Sequence, residues 1–293
     1  MSHTPTRKFW FDLSPALCGL LLALTACAAG VGRGGEMRAV APASRAAAQA
    51  EVKTEPYAGK VAYVIVALCD NVNQGIVPVP AALGNGDDPA RNLYWGARFG
   101  VKTHFSASRE WRAVAAFANP APKVFERVVY RHRTLDAYLV ADAYRGAEIR
   151  QATADFFNVA SGNLNPTFED AGKTYGLGRG AAAHLVAYVG HDGLMDFRLP
   201  ALPKRRDEAR RDAVVLACAS KQYFAPALKQ SGANPLLWTT NLMAPEAYVL
   251  KAALDGWVVG ESGEQVRERA ARAYHTYQNC GLRAARGLFA SGW

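Results

Sequence analysis

Cysteine is scarce in this chain, and none of it is clustered. The five residues, Cys18, Cys27, Cys69, Cys218 and Cys280, lie far apart, and no C-x-x-C pair occurs. That spacing excludes a zinc ribbon and leaves any thiol chemistry to single cysteines. Beyond the N-terminal segment there is no run of about 18 apolar residues, so no second membrane anchor is expected. Nor is there an internal repeat, or a low-complexity linker after residue 58, and one domain of 59–293 is the simplest count. The net charge is +9, yet the basic residues form no stripe with interleaved aromatics, and no nucleic-acid motif is present. Spread charge of this kind fits an anionic surface in general and no nucleic acid in particular.

What is present begins with a targeting pattern. Arg7 and Lys8 precede an apolar stretch, Leu13 to Ala23, that is too short to span a bilayer. It runs into Leu24-Thr25-Ala26-Cys27, which resembles the bacterial lipobox. The resemblance implies a signal segment of 1–26 and lipid on Cys27. It also implies a membrane partner reached through that N-terminal lipid, since acyl chains hold a protein on a bilayer without crossing it. Ala28, where an Asp is absent, points to the outer membrane facing the periplasm. Loss of Arg7, Lys8 and Asp12 takes the charge from +9 to +8. Residues 27–58, rich in Ala, Gly and Arg, read as a flexible tether. In an oxidising envelope the three remaining cysteines leave one thiol unpaired.

Apolar runs place the elements. Lys60 to Leu68 is nearly continuous and β-branched, as in a strand buried on both faces, and ends at Cys69-Asp70. A loop dense in Pro, Gly, Asn and Asp follows from Val72 to Asn92. Its Gly84-Asn85-Gly86-Asp87-Asp88 lacks the ligand spacing of an EF-hand and reads as a solvated turn. Trp111, Val114, Ala115 and Phe117 predict a helical face within Leu93 to Ala118. Two strands, Val124 to Arg133 and Ala137 to Ala143, come next, the second ending near Asp142. A helix is expected over Gly146 to Ala160, and irregular chain over Ser161 to Gly180. Gly176 to Gly180 looks like a nucleotide loop, but it precedes a strand rather than following one, so that reading fails. Lys204 to Arg211 reads as a solvated helical turn, with a basic patch as the lesser alternative. Helices after Ser220, Pro245 and Glu261 and a strand over Pro235 to Thr240 complete the pattern, with a capping box at Ser262-x-x-Gln265. Strand–helix alternation predicts an α/β fold: one doubly wound, mostly parallel sheet with flanking helices.

Two runs carry the chemistry. His184 to Gly193 is a strand that delivers His191, and Asp212 to Ser220 contains a strand, Ala213 to Leu216, that delivers Cys218. Parallel strand ends are where such folds bind ligands, and an imidazole beside a thiol can take its proton during nucleophilic attack. An apolar strand ending in His-Gly followed by one ending in Ala-Cys resembles the caspase-like (clan CD) cysteine peptidases. That resemblance implies Cys218 as nucleophile, His191 as general acid/base, an oxyanion hole of backbone near Gly193 and Cys218, and a peptide or protein substrate cut without any cofactor. Here Asp192 intervenes between His191 and Gly193, and only 27 residues separate His191 from Cys218. Asp70 and Asp142 are candidates to meet a basic P1 side chain, with capping of a following turn as the plainer role, and Asp192 is a candidate to orient His191. The alternative is a degenerate peptidase fold: a non-catalytic envelope lipoprotein that binds a peptide, glycan or protein partner in the same crevice. A Cys69–Cys218 disulfide would remove the nucleophile altogether.

Overall fold

A computed structural model of the chain describes residues 54–176 and 183–293. The expected signal segment, Cys27 and most of the expected tether lie outside the described residues, as do 177–180 of the glycine run. The elements in chain order are β1 (Glu55–Pro56), β2 (Lys60–Ala67), α1 (Val101–Ser106), β3 (Trp111–Ala121), β4 (Val124–His132), β5 (Ala137–Tyr144), α2 (Ile149–Ala160), β6 (Thr167–Asp170), β7 (Lys173–Gly176), β8 (Ala183–Val189), β9 (Arg211–Leu216), α3 (Ser220–Ser231), β10 (Asn234–Thr239), α4 (Ala247–Val258), α5 (Gly263–Gln278), α6 (Leu282–Leu288) and β11 (Phe289–Ala290).

The main sheet has eight strands in the order β11-β10-β9-β8-β2-β5-β4-β3. The five central strands, β10 to β5, are mutually parallel; β11 and β4 run antiparallel to them, and edge strand β3 pairs antiparallel with β4. Among the parallel strands the spatial order is second, first, third, fourth, fifth. The order reverses between β2 and β8, and in open α/β sheets the crevice at such a reversal is the usual ligand site. This is an α/β fold with a large, mostly parallel sheet flanked by helices, consistent with the caspase-like arrangement. Continuous burial of β2 explains its unbroken apolar run: Val61, Tyr63 and Ile65 pack on one face with α2 and α3, while Ala62, Val64 and Val66 pack on the other with α1, α4 and α5. At about 25 cal/mol per Å² of apolar surface, two such buried faces are the main source of stability. The helix over Ile149–Ala160 buries Ile149, Ala152, Thr153, Phe156 and Phe157, the stripe that its spacing predicts.

Three expectations are corrected. The predicted helix over Leu93 to Ala118 is helical only at Val101–Ser106, and Trp111–Ala121 is an edge strand against β4. A register shift between Ala113 and Ala115 explains the misreading, because a bulge breaks the period of two and leaves an apolar spacing like that of a helix. Ser161 to Gly180 is not all irregular: β6 and β7 form a hairpin whose two-residue turn, Ala171-Gly172, has φ of 51° and 75°, and β1 pairs with β7 to make a small second sheet. The paired chain therefore begins a few residues before Gly59. Lys204 to Arg211 contains no helical turn, and Arg211, buried at the start of β9, grips the Asp207 carboxylate at 2.7 and 2.8 Å.

Candidate active site

Register brings the two candidate residues level. Val189 pairs with Leu216 on adjacent parallel strands, and His191 and Cys218 each lie two residues further on. Neighbouring strands lie about 4.8 Å apart, so both residues open onto the same edge of the sheet.

After β8 the chain passes through Gly190 and His191 into a 3-10 turn, Gly193–Met195. Asp192 caps that turn, its Oδ1 accepting the Leu194 N–H at 3.0 Å. Glycine at 193 lets the Phe197 ring pack against the turn, since a Cβ there would come within 2.6 Å of that ring. The turn folds Asp196 back so that its Oδ2 lies 2.6 Å from His191 Nε2. The same carboxylate oxygen accepts the Gly75 N–H at 3.1 Å, tying the long loop after β2 to the imidazole. The Tyr188 hydroxyl donates to the His191 carbonyl at 2.9 Å and fixes the backbone beneath it.

After β9 comes a tight passage into α3. Cys218 is half-buried, and Ala219, which follows it, adopts left-handed φ 47°, ψ 32°. The Ala219 N–H donates to the Asn241 carbonyl at 2.9 Å. Beneath them Ser220 and Thr239 join their hydroxyls at 3.0 Å. Cys218 Sγ meets the peptide of Met243: the Met243 N–H points at the sulfur from 3.4 Å, and the thiol reaches the Met243 carbonyl at 3.6 Å. Burial pushes the Cys218 thiol up, and the Asp192 charge adds to that, while the Met243 N–H pulls the other way. No hydrogen bond joins His191 to Cys218 among the described residues. The resting thiol is neutral and held by backbone.

Each of the other predicted residues has a defined place. Asp70 is buried and caps the turn after β2: its Oδ1 accepts the N–H groups of Val72 and Asn73 at 2.8 and 3.1 Å, and its Oδ2 accepts Asn73 Nδ2 at 2.8 Å. Asp142 is buried in β5 and faces Arg127, which grips both its oxygens at 2.6 Å, while the Tyr63 hydroxyl adds a third bond at 2.5 Å. Both carboxylates are fully engaged within the protein, which corrects the expectation that they meet a P1 cation. Asp192 does not orient His191; Asp196 does. The Asp192 Oδ2 is buried with no partner, and burial raises its carboxyl to about 7. The Gly193 N–H donates to the His191 carbonyl at 3.0 Å, so the expected oxyanion donor is already occupied. Cys69, Cys218 and Cys280 are all free thiols. Cys69 is fully buried against Tyr94 and pushed up to about 11 by burial, which makes it an inert thiol.

Sequence reasoning missed Asp196 and Met243. An acid five residues after a strand-end His is a visible signal for the first. The second lies 25 residues beyond Cys218 and becomes its neighbour only through the sheet order.

No protein-family model, curated protein or solved structure matches this chain. Its chemistry is therefore argued from the site. Among the described residues no group of three or more His, Cys, Asp or Glu side chains is arranged to hold a metal ion, and no helix is long and apolar enough to cross a membrane. After one strand stands an imidazole backed by a carboxylate, and after its neighbour a half-buried thiol held by the Met243 peptide.

Proposed function

We propose that the protein is a caspase-like cysteine peptidase, anchored to the bacterial cell envelope by lipid on Cys27, with Cys218 as nucleophile and His191 as general acid/base. One observation carries the reading: His191 and Cys218 each follow by two residues the paired ends of adjacent parallel strands, beside the reversal of strand order. The Asp196 carboxylate supports it by holding one imidazole nitrogen and stabilising the imidazolium that forms during reaction. In the reaction, the S–H turns from the Met243 carbonyl towards the imidazole and gives it its proton, while the sulfur keeps the Met243 N–H. The S–C bond forms on the scissile carbonyl, whose π pair moves to oxygen. Collapse of that oxyanion breaks the C–N bond, and the departing amine takes the proton from the imidazolium. Water then hydrolyses the thioester, releasing the acid and restoring the thiol.

Exposed apolar side chains on the surrounding loops, Val72, Val77, Met195 and Leu242, suit a peptide with apolar side chains better than a basic one. Cleavage of a fluorogenic peptide library by the full chain, lost in Cys218→Ala, is the expected result; equal turnover by the variant overturns the reading.

A second reading is favoured by a different observation: the thiol rests neutral and bonded to backbone, without the imidazole. In that reading the crevice binds a peptide, glycan or protein partner and does not cleave it. A Cys218→Ala protein that retains full binding while wild type cleaves none of the library would support it.

A further inference from the structure

A thiolate is stabilised by a fixed N–H donor aimed at the sulfur. Two obvious donors at this site are engaged elsewhere: Gly193 N–H with the His191 carbonyl, and Ala219 N–H with the Asn241 carbonyl. A third is aimed at the sulfur itself, the N–H of Met243, 25 residues further along the chain. We propose that the backbone N–H of Met243 is the donor that stabilises the Cys218 thiolate. This rests on Cys218 acting as the nucleophile.

The segment that carries this donor is fixed at both ends. Asn241 accepts the Ala219 N–H, the Ala244 N–H donates to the Tyr274 hydroxyl at 3.2 Å, and the Ala247 N–H donates to the Phe99 carbonyl at 2.8 Å. The Met243 side chain is itself part of the core between the sheet and α4 and α5. A donor held this way costs no reorganisation when charge develops. The two polar atoms of the Met243 backbone also serve the two states of the sulfur differently. Its carbonyl accepts the S–H of the neutral thiol, a hydrogen bond that ionisation removes, whereas its N–H serves the anion. The other titratable groups that interact with the sulfur are Asp192 on the β8–β9 connection, Tyr94 ahead of α1 and Tyr274 on α5, and His191 follows the neighbouring strand end.

The test uses the full chain. Only four methionines are present, so ¹⁵N-methionine labelling gives a resolvable Met243 amide. That amide proton is expected to shift with pH at the same midpoint as iodoacetamide alkylation of Cys218, read on the Cys218 peptide by mass spectrometry, and to stop titrating there in Cys218→Ala. Met243→Pro, which removes the N–H, is expected to move the thiol limb of the alkylation profile upward by about one pH unit, about tenfold less thiolate at a given pH, while Met243→Ala, which keeps the N–H, leaves it in place. If Met243→Pro does not fold, the amide titration alone decides. An amide that ignores Cys218 ionisation, or identical profiles for the proline and alanine variants, overturns the assignment. If the amide follows Cys218 while His191→Ala leaves alkylation unchanged, the donor stands and the dyad of the proposed function falls.

Discussion

Asp196 Oδ2 lies 2.6 Å from Nε2 of His191 and also accepts the N–H of Gly75, so one carboxylate joins the imidazole to the long loop that follows the first parallel strand. A carboxylate in this position fixes the tautomer and the ring plane and stabilises the protonated imidazole. Asp196→Ala is expected to lower peptide turnover at least tenfold, within reach of the factor of about 10² to 10⁴ that a positioned general base contributes. Gly75→Ala should act in the same direction without touching His191, because its Cβ would lie 2.5 Å from Asp196 Oδ1. Steady-state kinetics on both variants check this, and a Gly75→Ala enzyme with wild-type turnover would separate the loop from the site.

Asp192 makes stability depend on pH. Its native carboxyl stays protonated to about 7, whereas the unfolded chain releases that proton near 4. Between those values the native state binds more protons than the unfolded state, so stability is greatest at low pH and falls as pH rises through 7. The loss is on the order of 4 kcal/mol. Asp192→Asn keeps the bond from the Leu194 N–H, carries no charge, and should flatten this slope. Urea midpoints between pH 4.5 and 8 measure it, and parallel slopes for wild type and variant would contradict it.

The Arg127–Asp142 pair is structural. Asp142→Ala strands a mostly buried guanidinium whose charge the carboxylate now satisfies on both oxygens, and should cost about 3 kcal/mol of unfolding free energy. Chemical denaturation reads that loss. If Asp142 served a P1 cation instead, the variant would keep its stability and lose only the cleavage of basic peptides.

Ala219 holds a left-handed conformation at the entrance to α3. Ala219→Gly removes roughly 1–2 kcal/mol of steric strain, offset in part by the freedom glycine regains when unfolded, for a net gain of roughly 0.5–1 kcal/mol. A melting temperature raised by about 2 °C is the expected reading. A lowered one would mean that the Ala219 methyl contributes packing that outweighs its strain.

Legibility in the sequence followed burial. Strands β2, β5 and β9 and the helix over Ile149–Ala160 are buried with regular spacing, and their apolar runs place them without help. Ser262 and Gln265 show the capping box that their spacing predicts. Edge strand β3 was hidden by its bulge at Ala113–Ala115, and the β6–β7 hairpin by the brevity of its strands, although Asp170-Ala171-Gly172-Lys173 carries a turn signal between Phe168 and Tyr175. Helix α6 and β11 are too short to announce themselves. At the site, His191 and Cys218 were readable because each ends an apolar run. Their partners were not: Asp196 depends on a 3-10 turn, and Met243 becomes a neighbour of Cys218 only because β10 lies beside β9. Asp70 and Asp142 show the converse, since a carboxylate at a strand end looks the same in sequence whether it faces a ligand, a turn or a buried arginine.

The central claim is that His191 acts on Cys218. Its most direct test is the rate of Cys218 alkylation by iodoacetamide as a function of pH, read site by site in the full chain, for wild type and His191→Ala. The account predicts an imidazole-dependent limb in wild type that disappears in the variant, with the rate at pH 7 falling about tenfold or more and only the ionisation of a thiol raised by burial remaining. Superimposable profiles would contradict it and leave Cys218 a structural thiol held by the Met243 peptide.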